Sequence, residues 1–143
     1  MAPHIALYEI GVPFESRPVS LAKNETRTPA YLALNPEGKV PTLLIDARPL
    51  TEVAAILFYL AKRFPETGLL PEGDLEAEAQ VISWMSFIAA TLHPSWAARH
   101  HGLDRCRTVF GIAEQRLGNR EWAVARYSIA DIHLFRLYWR FRK

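Results

Sequence analysis

The run Gly38-Lys39-Val40-Pro41-Thr42-Leu43-Leu44-Ile45-Asp46 sets a proline immediately before a stretch with the composition of a buried strand. A proline there has no N–H for a sheet ladder, and the valine before it is biased toward extended backbone. A cis Val40–Pro41 bond makes a tight turn and leaves the valine N–H and C=O facing outward instead of pairing within the sheet. Main-chain groups so placed can pair with an extended peptide, as in β-strand addition. About ten residues later, Thr51-Glu52-Val53 opens a helical pattern. The free amides and positive dipole end of a helix start favour an anion such as a carboxylate. A place for peptide backbone therefore lies close to a place for a carboxylate. Glu52 reads either as a plain first-turn acid favoured by the dipole or as part of that binding place.

Further along, His93 precedes Pro94 at the end of an apolar helical run. It can cap helix carbonyls or serve a reacting group as a donor or base. His100, His101 and Cys106 follow within one stretch, but the spacings fit no helical ligand pair, so no metal site is expected. Cys106 sits between Arg105 and Arg107, a context that can lower a thiol pKa, although a lone helical cysteine usually serves packing. As the single cysteine it excludes an internal disulfide and points to a reducing compartment. Tyr8, spaced from Ile5 as a core residue would be, and the four tryptophans Trp84, Trp96, Trp122 and Trp139 read as packing.

These residues need elements to hold them. From Met1 to about Phe64 short apolar runs alternate with helical patterns, which predicts a small sheet flanked by helices. Pro3 and Gly11 bracket a first helix. Phe14 to Leu21 is expected as a strand, restricted to a sheet edge by Pro18. A helical turn over residues 28–34 ends at the cluster Asn35-Pro36-Glu37-Gly38. Thr42 to Ile45 is a strand, Asp46-Ala47-Arg48 a tight hairpin loop, and Pro49-Leu50 its return. Thr51 is expected to cap a helix reaching Arg63. Two prolines and two glycines between Pro65 and Asp74 have the composition of a linker. Beyond it the chain reads helical: Leu75 to Leu92, stopped by Pro94; Asp104 to Leu117, ended by Gly118; and a last helix from Ser128-Ile129-Ala130-Asp131. There Ser128 is expected to accept from the amide of residue 131 while Asp131 reaches back to residue 128, with Ile132, Leu134, Phe135, Leu137, Tyr138 and Phe141 on the apolar face.

With 143 residues, half of them hydrophobic, the chain is long enough for a sizeable core. Seventeen basic against 15 acidic side chains do not announce a nucleic-acid partner. The last 24 residues do hold six basic (Arg120, Arg126, Arg136, Arg140, Arg142, Lys143) and two acidic side chains, which reads as a helix with a basic surface. No apolar run reaches the roughly 20 residues that cross a bilayer, and the N-terminus lacks a signal-peptide pattern, so a cytoplasmic location is expected.

Taken together, NPEGKVPTLLIDARPLTEVAAILFYLAKRFP and SIADIHLFRLYW resemble the glutathione transferase family, bacterial beta-like members included. The likeness implies an α+β or α/β arrangement: a thioredoxin-like N-terminal domain over residues 1–64, a linker over 65–74 and an all-helical domain over 75–143. It implies that Val40 makes paired backbone hydrogen bonds to the cysteinyl part of glutathione, that Pro41 is the cis residue, and that Glu52 with the backbone of Val53 holds the γ-glutamyl end. His93 matches a histidine of bacterial members that approaches the thiol from the helical domain, and so becomes the catalytic candidate. The implied activity is conjugation of glutathione, as co-substrate, to a small electrophile by a homodimeric enzyme.

The pattern departs from the family in places. Val53 stands where Ser or Thr is usual. The strand and loop that carry the family's thiolate-stabilising Tyr, Ser or Cys have no counterpart before APHIALYEIG, so the sheet is expected to need a substitute strand. The stretch from Trp96 to Arg107 is short, and the family's further helices after the capped one are absent. A non-catalytic glutathione-binding or interaction module is the alternative reading. A thiol-disulfide oxidoreductase lacks the Cys-x-x-Cys pair it would need.

Overall fold

A computed structural model describes residues 1–141, the side chain of Phe141 excepted. Arg142 and Lys143, counted above with the basic tail, and the Phe141 side chain, assigned above to an apolar face, lie outside the described residues. The chain order is α1 (Ala2–Ile10), α2 (Pro29–Leu34), β1 (Leu43–Ile45), β2 (Arg48–Leu50), α3 (Val53–Arg63), α4 (Leu75–Phe87), a π turn (Ile88–Leu92), α5 (His93–Ala97), α6 (Asp104–Leu117) and α7 (Ile129–Phe141).

Local chemistry explains most of these boundaries. Pro3 lies in the first turn of α1, where a missing N–H costs nothing, and Gly11 ends it in the left-handed region at φ 77°. Thr28 caps α2 by accepting from the Tyr31 amide, and Asp74 caps α4 by accepting from Ala77. Asp46 and Ala47, at φ 50° and 64°, form a two-residue turn that pairs Ile45 with Arg48 and Leu43 with Leu50. At the start of α7 Asp131 does reach back, accepting from the Ser128 amide at 2.9 Å and the Ser128 hydroxyl at 3.0 Å. Ser128 Oγ accepts from Ala130 rather than from residue 131, whose amide goes to the Ser128 carbonyl. Asp131 also accepts from the Ala123 amide at 2.7 Å, tying down the loop before the helix.

Four expectations are corrected. The segment from Phe14 to Leu21 is not a strand, and among the described residues the sheet has only β1 and β2, with no substitute strand beside them. Pro18 denies that segment a donor, and no neighbouring strand offers it a ladder. The cap of α3 is Glu52, not Thr51; the Glu52 carbonyl accepts from Ile56 at 2.9 Å. Pro94 does not stop the helix that begins at Leu75. The chain widens into the π turn and continues as α5 to Ala97. A wider turn takes the proline ring without the clash that a regular α-turn imposes.

One hydrophobic core joins both halves: Ala2 and Ala6 of α1, Ile56 and Leu57 of α3, Trp84 and Met85 of α4, and Ile129, Ile132 and Leu137 of α7 are all buried. The segment between the halves is packed as well, with Leu69, Leu70 and Pro71 buried. The Leu69 carbonyl accepts from the Ile129 amide at 2.9 Å and the Leu70 carbonyl from Arg126 at 3.1 Å. No described helix is long and apolar enough to cross a membrane.

Candidate functional site

The loop that presents Val40 is fixed from both sides. Asn35, buried at the end of α2, accepts from the Glu37 amide with Oδ1 and donates Nδ2 to the Lys39 carbonyl at 2.9 Å. The Tyr31 hydroxyl donates to the same carbonyl at 2.6 Å, and Thr42 Oγ1 lies 3.1 Å from it. Gly38, at φ 61°, passes so close to Thr26 that a Cβ would lie 2.9 Å from the Thr26 carbonyl oxygen, so no other residue fits there. The carbonyl before Val40 and the residue two after it are thus pinned, and the Val40–Pro41 bond is cis. Among the described residues no hydrogen bond engages the Val40 N–H or C=O, and Val40 is 44% exposed while Pro41 is half-buried. The geometry leaves the Val40 main chain open on a loop pinned at Asn35 and at the Lys39 carbonyl.

Glu52 is exposed and sits at φ 65°, ψ 122°, a region costly for a residue with a Cβ. Its side chain makes no capping bond, so its carboxylate is free at the N-terminus of α3. Val53, half-buried against the core, begins that helix, whose first amides have no acceptor within it. Lys39 links this end to the loop: it pairs with Glu37 at 2.5 Å, and the charge of Glu52 also favours its ammonium form.

His93 approaches from the first residue of α5. Its Nε2 lies 3.3 Å from Nη2 of Arg136 on α7. Burial pushes its pKa below the ordinary histidine value, and the charges of Arg136, Arg140 and Lys39 push the same way. Both effects favour the neutral imidazole over imidazolium. The structure brings Lys39, next to Val40, into electrostatic range of both Glu52 and His93.

Sequence reasoning missed Arg136, Asn35 and Tyr31. Arg136, assigned to a basic surface, is 9% exposed and packs inside. The available signal was its spacing, one turn beyond Ile132 and beside Leu137 on the buried stripe. Cys106 is fully buried and burial raises its thiol pKa, outweighing Arg99 and Arg107. It is a packing residue. Among the described residues no three His, Cys, Asp or Glu side chains gather into a possible metal site. A cavity of about 600 Å³ lies elsewhere, between α1, α6 and α7 and walled by Phe110, Trp122, Tyr127, Phe135 and Tyr138.

The model of the glutathione S-transferase N-terminal domain matches residues 2–63. A glutathione S-transferase of Xanthomonas campestris is 33% identical, the match covering 94% of this chain and 74% of that protein. The chain belongs to the glutathione transferase family. A maleylacetoacetate isomerase of Pseudomonas aeruginosa is 32% identical over 91% of this chain and 70% of its own length. The solved structure of a sphingomonad glutathione S-transferase complexed with glutathione superposes with a TM-score of 0.83 at 34% identity, covering 96% of this chain and 75% of that one. The transferase fold is thus present, with its two-stranded sheet and helices in one half and helices alone in the other.

Proposed function

We propose that this protein binds glutathione and conjugates it to small electrophilic molecules. The observation that carries this reading is the open Val40 main chain beside the α3 N-terminus. A γ-glutamyl tripeptide pairs its central residue with Val40 as an added strand and sets its terminal carboxylate on the free amides of Val53 and its neighbours. Glu52 receives the ammonium group of the same γ-glutamyl end. His93 faces the thiol. Family membership with relatives named glutathione S-transferases supports conjugation over binding alone.

The chemistry asks for a thiolate. A free thiol has a pKa of about 8.5, so a site working at neutral pH must stabilise the anion with donors or positive charge. We assign the protein to the cytoplasm, where thiols stay reduced, and to a homodimer. Phe58, Leu75 and Ile82 are exposed around a hollow of about 420 Å³ on α3 and α4, an apolar face suited to a second copy.

Calorimetric titration with glutathione, followed by a conjugation assay with a generic aryl halide, tests the reading. Binding with turnover is expected. Absence of binding overturns it, and binding without turnover turns it into the interaction-module reading. Ile82→Glu is expected to convert a sedimenting dimer to monomer.

A further inference from the structure

Arg136 is an unusual neighbour for a histidine. It is 9% exposed, and among the described residues its Nε has no hydrogen-bond partner while its Nη2 bonds to His93 Nε2. A guanidinium has donors and no lone pair, so in this contact the arginine donates and the imidazole accepts. Nε2 is then the unprotonated ring nitrogen. A neutral His93 must carry its proton on Nδ1. Unlike the buried Nδ1 of His133, that nitrogen is not shut away without a partner.

We propose that Arg136 is a positioning residue that holds His93 as the Nδ1–H tautomer and aims that N–H at the thiol of bound glutathione. The inference rests on the glutathione reading above. The step moves no proton through His93. The thiol gives its proton to water, the Nδ1–H donates a hydrogen bond to the sulfur anion, and that bond loosens as sulfur forms its new bond to the electrophile and the leaving group departs with its electron pair.

The surroundings agree. The charged and titratable groups bearing on this pair are Arg136, Arg140 and His133 from α7, the amino group of Met1 beside α1, and Lys39 from the loop, which in turn faces Glu37 and Glu52. No carboxylate bears directly on His93 or Arg136 among them. Every near charge discourages imidazolium, which could not accept from Arg136. A buried arginine with no carboxylate partner among the described residues is a poor device for stability alone, whereas an arginine that selects a tautomer has a reason to be there.

Two-bond proton–nitrogen NMR on the full chain tests this. At pH 7 His93 is expected as the neutral Nδ1–H form. Glutathione is expected to shift its Nδ1 proton, and S-methylglutathione, which binds without an ionisable thiol, is expected not to. Arg136→Met is expected to release the tautomer, raise the His93 pKa by about one pH unit or more, and lower kcat about ten- to hundredfold with the KM for glutathione little changed. Arg136→Lys, which also donates without accepting, is expected to restore the tautomer. An Nε2–H or protonated His93 in the wild type overturns the proposal even if the variant fails to fold. So does an Arg136→Met enzyme with unchanged kcat. Failure of glutathione itself to bind overturns the glutathione reading instead, leaving the tautomer measurement independent.

Discussion

At the scale of single residues, the candidate site is a set of unpaid valences on a well-tied loop. Val53 offers only its amide to an incoming carboxylate. Val53→Ser adds a hydroxyl at the same helix start, and one hydrogen bond to a charged group contributes about 1.5 kcal/mol or more. Glutathione is expected to bind about tenfold tighter by calorimetry, with a small loss of stability from the apolar contacts Val53 gives up. His133 makes a separate prediction. It is buried, and burial together with Arg136 and His93 lowers its pKa to about 3. Because the folded value lies below the unfolded one, the unfolded chain takes up the proton first as pH falls, and stability declines from about pH 6.5 down toward pH 3. Between pH 7 and pH 5 this residue alone removes about 2 kcal/mol. Urea midpoints at the two pH values should show that loss, and His133→Leu should flatten it.

Elements carry a different lesson. Asp131 accepts three hydrogen bonds, two of them from backbone amides, and so joins the α7 start to the preceding loop. Asp131→Ala orphans those donors and is expected to cost about 2–3 kcal/mol, seen as a lower melting temperature and faster amide exchange at Ala123 and Ser128. That cap was legible because its residue types and spacing are local. So were the Asp46-Ala47 hairpin, the α1 boundaries and the Val40–Pro41 turn. What could not be read locally was decided by neighbours. Phe14 to Leu21 has strand composition, yet a strand exists only where another strand pairs with it. Thr51 is a better cap by type than Glu52, but the hairpin return delivers the chain to α3 one residue later, with Glu52 in the left-handed region. The π turn before His93 is equally silent in the periodicity, since an apolar stripe tolerates one wide turn. Arg136 looked exposed because arginine usually is; only the packing of α7 against its neighbours buries it.

For the whole molecule, the continuous core and the buried Leu69-Leu70-Pro71 segment bear on how the two halves behave together. We propose that residues 1–64 and 75–143 are domains by ancestry and not by stability. Calorimetry is expected to give one cooperative unfolding transition, with van't Hoff and calorimetric enthalpies equal; two resolved transitions would refute this. Composition suggested a linker between them, since prolines and glycines read alike in a slack tether and in a packed corner. The bond from Ile129 to the Leu69 carbonyl ties this segment against the helical half. A corner stitched in this way gives the halves no ready pivot, and we infer that a ligand held by Val40 and Val53 binds without hinge closure. Guests must enter and leave past side chains alone, and small-angle scattering curves of the empty and loaded protein should overlay.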